Sequence, residues 1–197
     1  MGLREEKKAR TRAALADTAR SLILARGYDE ITVTEITDTV GVSRRTFFRY
    51  FPTKEAAFFA NQEERLERFQ HRLLEGSHPH ESPFDHIRRV CMEMSEDYVR
   101  DRALVVEQYR VTIASQHLLA YDMRFDVAWE EAIVAALTRD KPHDALRREQ
   151  ARVQAGAIIG VVRASLRYWF QQDGAPDLQA LGERAFAILT ASRLALG

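Results

Sequence analysis

Apolar residues recur every three to four positions along most of this chain, and the two-residue alternation of strands is scarce. Leu15, Ala19, Leu22 and Ile23 make one such stripe and predict a first helix over 5–26, closed by Gly27. Thr32 and Glu35 have capping-box spacing. Thr32 would accept the Glu35 amide while the Glu35 carboxylate reaches back, opening a short second helix that ends near Val40. Gly41 makes a turn, Ser43 caps a third helix over roughly 44–51, and Pro52 breaks it. Thr53 then caps a longer fourth helix that reaches about Leu74. Beyond the turn-rich stretch "GSHPHESP", helices are expected at about 83–101, 103–116, 118–138, 144–172 and 177–195. Lys141-Pro142 and Gly174-Ala175-Pro176 punctuate them. The expected fold class is all-α, with about nine helices and no internal repeat or low-complexity segment.

A helix, a glycine turn and a second helix make a helix-turn-helix. In it Ile36, Val40, Val42, Phe47 and Phe51 are spaced to point inward, with Leu22 and Tyr28 behind them. The outer side of the third helix is then left with Arg44, Arg45, Thr46, Phe48, Arg49 and Tyr50. Such a run is either an ordinary solvated face or a surface for something negatively charged.

Charge decides between these only locally. Over 197 residues Lys+Arg and Asp+Glu balance at 29 each, so the whole chain names no partner. Residues 1–54, however, hold 11 Lys/Arg against 7 Asp/Glu, a surplus of four, and the remainder carries the matching deficit. A basic N-terminal part is the footprint expected of a nucleic-acid module. Apolar residues at 46% suffice for a core, and the lone Cys91 excludes an intrachain disulfide and a thiolate zinc cluster. No apolar run is long enough to span a membrane or to serve as a signal peptide, so a cytoplasmic protein without membrane contact is expected. His78-Pro79-His80 with His86 reads as a polar loop rather than a metal site. Neither a phosphate loop nor a nucleophile motif stands out, so no enzyme activity, metal or cofactor is expected.

The segment "GYDEITVTEITDTVGVSRRTFFRYFPTKEAAFF", residues 27–59, resembles the DNA-binding region of the TetR family of bacterial transcription regulators. The shared pattern is Gly27, Thr32-Val33, Ile36, Gly41-Val42-Ser43, Thr46-Phe47-Phe48, Tyr50-Phe51 and Lys54-Glu55. Two positions depart from it: Arg45 stands where the family often has glycine, and Phe48 where it usually has tyrosine. The resemblance implies a three-helix DNA-binding domain over 1–53 and a helical effector-binding and dimerisation domain over 54–197. It also implies a homodimer on double-stranded DNA with a palindromic operator, whose half-sites lie about one helical turn, roughly 34–36 Å, or a multiple apart. Base reading would fall to Arg44, Arg45, Thr34 and Phe48, since guanidinium pairs bidentately with guanine and a ring meets a thymine methyl. Phosphate contacts would fall to Lys54, Ser43, Thr46, Tyr50 and Arg49, with the basic segment Arg4, Lys7, Lys8, Arg10 and Arg12 along the backbone or minor groove.

The later helices offer less. A small-molecule effector pocket is expected among Met94, Tyr98, Tyr109, Met123, Phe125, Trp129, Tyr168 and Trp169, for an apolar ligand with one or two polar handles. Each of these is equally at home as plain packing. Small residues on the expected 144–172 helix, Ala155, Gly156, Ala157, Gly160 and Ala164, let helices approach closely, and the dimer contact is expected at Ala155, Ile159, Gly160, Leu166, Leu181, Phe186 and Leu189. The leading reading is a repressor released by a ligand. The alternative is a helical enzyme or small-molecule carrier with a vestigial DNA module.

Overall fold

A computed structural model describes residues 2–76, 78, 80–140 and 143–195. The expected turn at Lys141-Pro142, and Pro79 in the histidine loop, lie outside the described residues. Among those described there are ten helices and no strand: α1 Leu3–Arg26, α2 Val33–Val40, α3 Arg44–Tyr50, α4 Lys54–Phe58, α5 Ala60–Leu74, α6 Pro83–Arg100, α7 Arg102–Ala114, α8 Gln116–Leu137, α9 Ala145–Gln171 and α10 Leu178–Ala195. They gather into two compact units, 1–64 with 107–122, and 65–106 with 123–197.

In the first unit α1 packs on α2 and α4, and α2 on α3. The predicted stripe is in place, with Leu15, Ala19 and Ile23 fully buried and Leu22 half-buried. Ile36, Phe47 and Phe51 close the core from the other side. Burying a Phe or Leu side chain contributes roughly 1.5–3 kcal/mol, so three short helices with little stability of their own are held by these few anchors.

The fourth predicted helix is two. Phe59, at φ −93° and ψ 14°, leaves the helical ladder and separates α4 from α5. The carbonyl of Phe58 accepts instead from Nε2 of Gln108, at 3.2 Å, and Asn61 Nδ2 donates to Gln108 Oε1 at 3.0 Å. Nothing local in "KEAAFFANQ" announces this break, because the group that satisfies it comes from 50 residues downstream.

The second unit has two apolar clusters. One joins Phe69 and Leu73 of α5, Ile87, Val90 and Met94 of α6, Ile133 and Val134 of α8, Ala151, Ala155 and Ile158 of α9, and Phe186 of α10. The other joins Val105, Val106, Trp169 and Leu178. Trp169 is 1% exposed and donates its indole N–H to the Pro176 carbonyl at 2.9 Å, which ties the end of α9 to the turn before α10. Gly174 in that turn has φ +68°, and a Cβ there would stand 2.9 Å from both Arg102 Cγ and Trp169 Cζ2, so glycine is required twice over.

Candidate nucleic-acid interface

The helix-turn-helix is built by local rules. Thr32 Oγ1 accepts the Glu35 amide at 3.2 Å as the capping box predicts. The return half of that box is absent, because the Glu35 carboxylate pairs with Arg26 of α1. Gly41 ends α2 in the left-handed region, φ 74° and ψ 38°, where a residue with a Cβ is disfavoured. The Val42 amide then reaches the Thr37 carbonyl at 3.0 Å. Ser43 Oγ caps α3 by accepting the Thr46 amide at 3.1 Å, and lies 3.0 Å from the Thr46 hydroxyl.

On α3 the inner and outer faces separate cleanly. Phe47 is 0% exposed, with Phe48 edge-on to it and 48% exposed. Arg44, Arg45 and Arg49 are exposed. Arg49 lies over the Tyr50 ring, 5.0 Å from its centroid, and donates to the Tyr50 hydroxyl at 3.4 Å. Among the described residues neither Arg44 nor Arg45 has a hydrogen-bond or ion-pair partner, and the Thr34 hydroxyl on α2 is likewise exposed and unpaired. Two arginines in the first turn of a helix oppose its macrodipole, which favours acidic groups there by about 0.3–1 kcal/mol each. The arrangement works against the isolated helix, so a local rule is broken where the exposed arginines stand.

Lys54 stands differently from its expectation. The sequence offers it as a free phosphate clamp. In the structure it is half-buried, and its ammonium donates to the carbonyls of Tyr28 and Ile31, both at 2.7 Å, while lying 3.7 Å from the centroid of the Tyr28 ring. One N–H of the three is left for a phosphate. Burial lowers the Lys54 pKa from its ordinary value, with Glu55 and Asp29 acting in the opposite sense. The Tyr28 hydroxyl donates to Glu55. Burial, then that bond, raises the Tyr28 pKa. For Glu55 burial works upward, but the bonds from Tyr28 and Thr53 prevail and hold its carboxyl below the usual range. Tyr28 also stacks on His117 with centroids 5.5 Å apart. Sequence reading placed Tyr28 only as backing for the core and missed Glu55 and His117. The Gly27-Tyr28 and Lys54-Glu55 pairs were visible, but their meeting depends on the tertiary fold.

The basic N-terminal segment is helical from Leu3 onward, two residues earlier than the predicted start. Arg12 within it pairs with Glu64 at 2.8 Å and Glu63 at 3.5 Å and lies over the Phe51 ring, so its charge is engaged inside this unit.

Residues expected at an effector pocket belong to different parts of the fold. Met94 and Phe125 are buried, and Trp129 packs on Phe69 in the first apolar cluster. Trp169 and Tyr98 belong to the second cluster. Met123 and Tyr168 point outward at 62% and 49% exposure, and Tyr109 lies in the first unit. Most residues expected at a dimer contact pack within this chain. Ala155 and Phe186 are interior to the chain, and Ile159, Leu166, Leu181 and Leu189 pack against the apolar clusters. Only Gly160, half-buried, belongs to the outward face of α9, which carries Val153, Ala157, Gly160 and Ala164 at helical spacing, with Ile188 exposed on α10.

His86 is buried, with Nε2 3.3 Å from the Leu73 carbonyl and Nδ1 2.9 Å from Arg89. Burial pushes the Cys91 thiol up to about 12, which leaves it a poor nucleophile at neutral pH. Among the described residues no group of three or more His, Cys, Asp or Glu is placed to hold a metal, and no helix is long and apolar enough to cross a membrane.

Residues 15–60 match the sequence model of a family described as bacterial regulatory proteins, tetR family. Over 175 residues the chain is 25% identical to the mycofactocin biosynthesis transcriptional regulator MftR of Mycobacterium tuberculosis, covering 85% of this chain and 84% of that protein. Over 54 residues, 27% of this chain and 24% of its relative, it is 50% identical to the HTH-type transcriptional regulator TcmR of Streptomyces glaucescens. Among solved structures, SmeT in complex with triclosan superposes with a TM-score of 0.66 at 17% identity, over 92% of this chain and 90% of that one, a likeness of fold.

Proposed function

We propose that this chain, whose residues 15–60 match the tetR family model and which is similar over 175 residues to a transcriptional regulator, is a DNA-binding regulator of that family that represses transcription from a palindromic operator, bound as a homodimer and released by a small, largely apolar ligand. The observation that carries this is the outer face of α3, where Arg44 and Arg45 stand exposed and unpaired against the helix dipole while Phe47 fixes the helix from behind.

In this reading Arg44 and Arg45 pair with base edges in the major groove, and Thr34 and Phe48 flank them. Ser43, Thr46, Tyr50 and Arg49 hold phosphates. Lys54 serves twice: it staples the Tyr28–Ile31 turn and offers its last N–H to the backbone. The domain of residues 1–53, joined by Lys54 at the start of α4, carries the DNA contacts, and the domain of 54–197 the effector and dimer contacts. The second copy packs on the α9 stripe Val153–Ala157–Gly160–Ala164, whose small side chains permit close helix approach. A ligand that prefers protomer arrangements with wrongly spaced α3 helices would shift the population off DNA. That SmeT is held with triclosan supports a small apolar effector for this chain.

Fluorescence anisotropy against fragments of the source genome tests the reading. A specific complex tighter than nonspecific DNA by a factor of about 10³ or more at physiological salt is expected. Equal affinity for all fragments, with a salt slope and nothing else, would refute sequence-specific regulation.

A further inference from the structure

Where the start of α6, the end of α8 and the first turns of α9 meet, the second unit holds an open groove of about 310 Å³. It is not lined by any of the aromatic and methionine residues singled out in the sequence. Phe84, Leu137, Ala151 and Ile158 make its apolar wall, and Gln150 and Gln154 place two amides along one edge. Its lining contains no carboxylate and one charged group, the guanidinium of Arg147. Arg147 is held at its backbone by a cap and at its side chain by one bond. Its amide is capped by Asp144 Oδ1 at 3.0 Å, and its Nε donates to the Leu137 carbonyl at 3.3 Å. That use of Nε leaves the two terminal nitrogens as a fork, the geometry that holds a carboxylate bidentately.

We propose that this groove binds a small monocarboxylate with an apolar body. Its size sets the ligand. At roughly 30 Å³ per water-sized group the volume holds on the order of ten heavy atoms, the lower end of the range of ligand sites. The carboxylate meets the Arg147 fork, the Gln150 and Gln154 amides bond its free lone pairs, and the body lies on Phe84, Leu137 and Ile158. The groove and the proposed dimer stripe lie about a quarter turn apart around α9, so a bound ligand and a partner protomer do not compete for the same face. The groove's use as an effector site rests on the ligand-responsive reading above; its affinity for a carboxylate does not.

Octanoate is the probe, with octan-1-ol as its neutral counterpart, both titrated calorimetrically into the full chain without DNA. Saturable octanoate binding at about 5 mM or tighter is expected, the weak limit for some ten heavy atoms. Octan-1-ol should bind at least about tenfold more weakly, since it cannot use a bidentate charge-assisted pair. Arg147→Gln should weaken octanoate by about tenfold or more while leaving octan-1-ol unchanged, and Arg147→Lys should fall between. Equal binding of octanoate and octan-1-ol by the unaltered chain, or no saturable octanoate binding, overturns the proposal whether or not the variants fold. Octanoate binding that leaves operator affinity unchanged would keep the groove and refute its effector role.

Discussion

The two compact units obey different logic. In the first, nearly every boundary has a local cause: Gly27, Thr32, Gly41, Ser43 and Thr53 each stop or start a helix within a few residues of themselves. In the second, the long helices α8, α9 and α10 carry apolar residues on more than one face. On α9 the interior takes Ala151, Ala155 and Ile158, while Val153 at 71% exposure and Ala157 face outward. The contrast teaches that a surface for DNA is written in residue types that local rules notice, such as arginines placed against a dipole. A surface for another apolar helix is written in the alphabet of the core.

Breaking the first unit should have the largest effect. Phe47→Ala is expected to cost about 3–5 kcal/mol of stability and to abolish operator binding, because the residue is fully buried behind the proposed reading face. Tyr168→Ala, on a half-exposed ring of α9, should change stability by no more than about 0.5 kcal/mol. Denaturant titration of both variants measures the gap, and equal losses would erase the distinction between the units.

The outward face of α9 is tested by Ala157→Glu. Sedimentation should report monomers, and operator affinity should fall about a hundredfold or more, as each half-site is then bound alone. The same substitution at the buried Ala155 should instead unfold the chain, which separates an interface face from a core face.

Lys54→Met probes the dual role of that lysine. Stability should drop by about 1–2 kcal/mol, since two carbonyls lose a charged donor at a half-exposed site. The salt slope of DNA binding should flatten by about one unit, uniformly across sequences. A lost slope without lost stability would restore the free-clamp picture; the reverse would leave only the staple.

The smallest effect concerns acid. The Glu55 carboxyl is held below its usual range in the folded chain. The stability it contributes is therefore complete above about pH 4.3, its unfolded value, and is lost as pH falls through the native one. Glu55→Gln should make the acid limb of the stability curve shallower below about pH 4 and leave neutral pH unaffected in slope.

Legibility in the sequence followed the same division. The caps, the glycine turn, Phe47 and Phe51 as anchors and the exposed Arg44, Arg45 and Phe48 could all be read from spacing. What failed needed partners far along the chain. The break at Phe59 depends on Gln108, the second role of Lys54 on the carbonyls of Tyr28 and Ile31, and the half-formed capping box on Arg26. Ala155, expected at a dimer face, is buried within its own chain, because small apolar residues look alike whether they meet their own chain or another. The eight pocket residues were chosen by type, and type alone does not gather Met123, Tyr168 and Trp169 into one place. The groove at Arg147 went unseen because its lining brings the start of α6 against α8 and α9, which lie far downstream in the sequence.

Selection of bound sequences from random double-stranded DNA, with the native chain and with Arg45→Ala in parallel, tests the central claim most directly. The account predicts two inverted half-sites enriched by the native chain. It also predicts a loss of about 1–3 kcal/mol of discrimination in the variant, confined to symmetry-related base pairs. No enriched sequence, or a preference that survives substitution of both Arg44 and Arg45 unchanged, would contradict the assignment of α3 as the element that reads DNA.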